Sequence, residues 1–129
     1  MKYVSTKGAA GLSFVEVVLS GYCARDGGLV WPERVPVVTD AQLLTWQSLS
    51  YEDLLVEICT MFVDADEVSR DEWRTIAATA MRRFRNATPV SFVSHASDNV
   101  LLMELFNGPT FAFKVRSCHV AHSLRIGCQ

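Results

Sequence analysis

Lys114 follows a Gly108-Pro109 turn and closes the run Phe111-Ala112-Phe113-Lys114. A lysine amine attacks a carbonyl only when neutral, and at an ordinary pKa near 10.4 about one molecule in a few thousand is neutral at pH 7. Apolar surroundings lower that pKa by penalising the charged form. Phe111 and Phe113 are compatible with such surroundings. The same residues also read as an ordinary strand end, with both phenylalanines turned inward and Ala112 and Lys114 on the other face. Residue types and spacing leave both readings open.

Three other groups carry chemistry-bearing residues. Cys118, His119, His122 and Cys128 are zinc-ligand types, and the two histidines are spaced to share a helix face. No C-x2–4-C pair accompanies them, and Cys118 and His119 are adjacent, so no metal site is expected. Arg82, Arg83 and Arg85 flank Phe84 in a basic cluster that could touch nucleic acid. A helix C-terminus with cations matched to its dipole explains the cluster without nucleic acid. The Asp26-Gly27-Gly28 run is a turn signal that could also face a substrate.

The 129 residues suggest one domain, or one and a fragment. Half are hydrophobic and a fifth charged, which is a globular composition. The formal charge of −2 gives no general attraction to nucleic acid or anionic lipid, and neither partner is expected. No apolar run approaches the roughly 20 residues needed to span a bilayer, and "MKYVSTKGAAG" has no apolar core behind its basic residues. The four cysteines form no CxxC pair. Reduced thiols in a cytoplasmic protein are the expectation.

The elements that must position these groups fall in two stretches. "KYVST" alternates like a short strand. Ser13 and Glu16 have capping-box spacing and open a helix over "FVEVVLSGYC", which "RDGG" is expected to end through Gly27 and Gly28. "LVW" is extended and stopped by Pro32. Thr39 with Gln42, Ser50 with acidic residues behind it, and Ser69 with Glu72 start three more helices. Leu54, Leu55, Ile58 and Phe62 fall on one face of the third helix, and Trp73, Ile76, Ala77, Ala80 and Phe84 on one face of the fourth. After the "NATP" breaker, "VSFVSHA" and "VLLMELF" read as strands joined at "SDN", with Val90 and Phe92 alternating against Ser91 and Ser94.

Three ordered blocks give the chain a family resemblance. "MKYVSTKG" looks like the first strand of threonine synthase. "LSFVEVVLSGYCARDGGLVWPERVP" is similar to its first helix and following turn, and "LLMELFNGPTFAFK" resembles the segment presenting its cofactor lysine. That family uses pyridoxal 5'-phosphate to convert O-phosphohomoserine and water to threonine and phosphate. The resemblance implies that Lys114 is the Schiff-base lysine, both catalytic and cofactor-binding. It implies a mixed α+β or α/β fold: a helix-rich N-terminal domain over 1–88 with short flanking strands, then over 89–129 the first strands of a fold-type II pyridoxal-phosphate domain. Asn107 stands where the family has histidine, and Val115 where aspartate follows the lysine. The tail 115–129 does not resemble the family's continuing helix.

The family's phosphate-cradling loop and substrate contacts come from segments with no counterpart in these residues. The chain by itself is therefore expected to bind the cofactor weakly and to be inactive. The competing expectation is a non-catalytic truncated product or a small protein-interaction module.

Overall fold

The structure is a computed structural model and describes residues 1–82, 84, 90–95 and 100–104. Its elements run β1 (Tyr3–Ser5), α1 (Phe14–Ser20), β2 (Val30–Pro32), α2 (Asp40–Trp46), α3 (Tyr51–Phe62), α4 (Arg70–Met81), β3 (Ser91–His95) and β4 (Val100–Glu104). This is the expected mixed architecture, with four helices and two small antiparallel strand pairs among the described residues. The chain divides into two compact units between Arg74 and Thr75, within α4. The boundary expected near Thr88 lies outside the described residues.

In the first unit β1 and β2 pair antiparallel, with Tyr3 opposite Pro32, Val4 opposite Trp31 and Ser5 opposite Val30. Pro32 can end this pairing because a proline at a strand terminus forfeits no interior ladder bond. Tyr3 also bridges Leu12, each donating its N–H to the other's carbonyl at 3.0 and 3.1 Å. This double bond brings the chain back beside β1 before α1 starts. Tyr3, Leu12 and Cys23 form a buried cluster, with Ala9, Phe14, Val17 and Val30 packed on it. Leu12 is 1% exposed, and burial of that completeness is worth about 1.5–3 kcal/mol. The rings of Tyr3 and Phe14 lie 6.0 Å apart and those of Phe14 and Trp73 5.9 Å apart, both tilted. Phe14 thus links the strand cluster to the start of α4.

Helix starts follow their caps. The Glu16 N–H donates to Ser13 Oγ at 3.1 Å, and the Asp53 N–H to Ser50 Oγ at 3.0 Å. Thr39 and Gln42 close a full capping box. At α4 the Glu72 N–H donates to Ser69 Oγ at 3.3 Å, while the Ser69 hydroxyl and N–H both donate to Glu72 Oε2. The Ser69 hydroxyl first, then its N–H, holds the Glu72 carboxyl below the usual range. Ser69→Ala removes this cap and should cost about 1 kcal/mol. Chemical denaturation checks it, and an unchanged midpoint would show that the cap does not hold α4.

Three expectations about helices are corrected. Helix α1 ends at Gly21, not at the Asp26-Gly27-Gly28 run: Gly21 adopts φ 72° and its N–H donates to the Val17 carbonyl. On α3 the buried residue is Val56, while Ile58 is 40% exposed, so the face read through Leu54, Leu55, Ile58 and Phe62 is rotated from the one the fold uses. Arg82 lies just past the end of α4 and not in its last turn. Arg83 and Arg85 are outside the described residues. On α4 itself Trp73, Ile76, Ala77 and Ala80 are buried as expected, and Met81 joins them.

In the second unit β3 and β4 pair antiparallel from Ser91 opposite Glu104 to His95 opposite Val100. The Ser91 hydroxyl donates to Glu104 Oε2 at 2.6 Å, fastening the open end of the hairpin. The expected half-buried alternation is absent here, for Phe92 is 57% and Val93 45% exposed.

Candidate functional site

Lys114 lies outside the described residues, as do Cys118, His119, His122 and Cys128. The described part of the chain contributes a polar junction where the turn after α1 crosses the end of β1. Asp26 is its hub. Oδ1 of Asp26 accepts from Ser5 Oγ and from the Gly28 N–H, both at 2.8 Å. Oδ2 accepts from the Ala9 N–H at 3.1 Å. The Thr6 hydroxyl accepts from the Leu29 N–H at 3.1 Å, and the Thr6 N–H donates to the Leu29 carbonyl at 2.8 Å. One carboxylate therefore ties together β1, the loop after it and its own turn.

Glycine is required here for two different reasons. Gly27 takes φ +69°, where a side chain is strained. Gly28 has no such φ, but a Cβ on it would sit 2.1 Å from Ser5 Oγ and 3.1 Å from Asp26 Oδ1 and Thr6 Oγ1. The second glycine of the pair thus admits the close approach of the strand, which is a packing need and not a turn need.

Cations border the junction. Lys7 is exposed, and its Nζ comes within 3.8 Å of the position a Gly27 Cβ would occupy. Arg25 donates from Nη1 to the Ala10 carbonyl at 3.2 Å, and its Nε lies 3.7 Å from Glu16 Oε1. These contacts hold the loop between β1 and α1 from its outer side.

The electrostatics define what the junction can do. The Gly28 N–H, with smaller help from Ser5 and Ala9, holds the Asp26 carboxyl down at about 2. A carboxyl so far below neutrality and engaged by three donors does not shuttle protons near pH 7. Asp26 is a structural fastener. Because its folded pKa is depressed, its stabilisation is complete above the unfolded value, near 3.9, and is lost as pH falls towards 2. Asp26→Asn should therefore weaken the fold at pH 6 and flatten the fall of stability between about pH 4 and 2. Denaturation midpoints across that range check the point, and a variant with wild-type pH dependence would contradict it.

Two of the described nucleophile types, Tyr3 and Cys59, are held protonated. Burial first, then the charge of Glu67, pushes the Tyr3 phenol up to about 12, and its hydroxyl donates to the Phe62 carbonyl at 2.9 Å. Burial pushes the Cys59 thiol up to about 11. Neither ionises near neutral pH. Among the described residues no three His, Cys, Asp or Glu side chains gather as a metal site, and no helix is long and apolar enough to cross a membrane.

The Asp26–Ser5 link was missed by sequence reasoning. Its partners are 21 residues apart, and neither lies in a local motif that names the other. The available signal was the second glycine, since in this turn only Gly27 takes a positive φ.

Comparison with known proteins places this architecture. A family model described as the threonine synthase N terminus matches residues 2–81. A threonine synthase-like 2 from Xenopus laevis is 38% identical over 115 residues, covering 88% of this chain and 24% of the relative. A threonine synthase from Schizosaccharomyces pombe is 32% identical over 117 residues, covering 88% and 22%. Among solved structures, threonine synthase from yeast superposes with a TM-score of 0.88 at 28% identity, over 96% of this chain and 25% of that one. Pyridoxal-phosphate-bound threonine synthase from Brucella melitensis gives 0.81 at 30% identity, over 100% and 28%. The chain spans about a quarter of the length of these proteins. With its strand–helix–turn start and four capped helices matched across residues 2–81, this chain belongs to the threonine synthase family, in that family's N-terminal region.

Proposed function

We propose that this chain is the N-terminal part of a threonine synthase, an enzyme that converts O-phosphohomoserine and water to threonine and phosphate. The observation that carries the reading is the likeness to a pyridoxal-phosphate-bound threonine synthase along the whole chain. Lys114 is the amine assigned to the cofactor. Pyridoxal phosphate, when bound, supplies an electron sink that stabilises negative charge on the substrate carbon beside its nitrogen. The chain's own contributions are simpler. Lys114 offers a primary amine, which attacks a carbonyl only in its neutral form. Asp26 fixes the course of the Ser5-to-Ala9 segment and takes no part in proton transfer.

In this reading residues 1–88 form the family's N-terminal domain and 89–129 begin the catalytic domain, with the tail 115–129 departing from the family pattern. In the same reading the family's phosphate cradle comes from segments outside the region matched here, so these 129 residues assayed on their own are expected not to turn over, and the cytoplasm is the proposed place of work. The test joins residues 1–114 to the remaining portion of the yeast enzyme and assays phosphate release from O-phosphohomoserine. Release by the completed polypeptide and none by the 129-residue chain is expected. No release from a folded, cofactor-loaded completed polypeptide would reject the reading.

A further inference from the structure

We draw no further inference here: the strongest candidate, the apolar surface patch running from β2 into α2, where Trp31, Val37 and Leu44 are exposed, carries nothing because nothing in the structure shows what covers it.

Discussion

Lys114→Ala in the polypeptide completed with the yeast portion is expected to abolish threonine formation. An oriented amine reacts with an effective molarity of roughly 10^5–10^8 M, so replacing it by water or a diffusing amine should cost at least about 10^5-fold in kcat. The chain's other lysines, Lys2 and Lys7, are no substitute. Lys2 Nζ lies 3.9 Å from Glu67 Oε1, and Lys7 stands at the Asp26 junction. Lys114→Arg should fail equally, because a guanidinium keeps its proton and cannot attack a carbonyl. That variant keeps the positive charge, so it separates a need for the amine from a need for a cation. Phosphate release under saturating substrate is the measurement. Activity retained in Lys114→Arg would make the residue an electrostatic contact.

Trp73→Ala is expected to have the largest effect on stability. Trp73 is 1% exposed and stacks obliquely on Phe14, which in turn meets Tyr3. Truncating a buried tryptophan costs about 3–5 kcal/mol through lost burial and the cavity left behind. For a chain of this size that is a fall in melting temperature on the order of 15 °C. The indole Nε1 is buried without a hydrogen-bond partner among the described residues. An unmatched buried donor is itself unfavourable by about 1–3 kcal/mol. Trp73→Phe removes that donor while keeping a ring against Phe14. It should therefore cost much less than Trp73→Ala. Two variants with the same loss would show that ring packing at this position does not carry the stability.

The sequence was most legible where the physics is local. Ser13, Thr39, Ser50 and Ser69 each precede a helix by one residue and cap it as their spacing predicts, because a side-chain oxygen three residues from an unpaired N–H needs no tertiary information. The end of α1 was misplaced because two glycine signals compete, and Gly21 is reached first. The α3 face was misread for another reason. Its sequence is apolar over so much of its circumference that periodicity permits more than one face. Which one is buried depends on neighbours from elsewhere in the chain, and they select Val56 over Ile58. The hairpin's strands were legible from β-branched and apolar composition, but their exposure was not. A two-sided apolar strand reads as buried whether or not its cover is present.

The junction around Asp26 lies between these cases. The turn was legible from its composition. The reason for its second glycine was not, since it is Ser5 Oγ on a distant strand that fills the space a Cβ would need. Lys114 was never identified by local chemistry. A lysine beside two phenylalanines is ordinary, and its assignment comes from the three family-like blocks that surround it.

The most direct test of the account is to load the completed polypeptide with pyridoxal phosphate, reduce it with borohydride and map the modified lysines by mass spectrometry. Stoichiometric label on Lys114, with none on Lys2 or Lys7, is the predicted result. Label spread over the three lysines, or confined to one contributed by the yeast portion, would contradict the assignment of Lys114 as the cofactor amine.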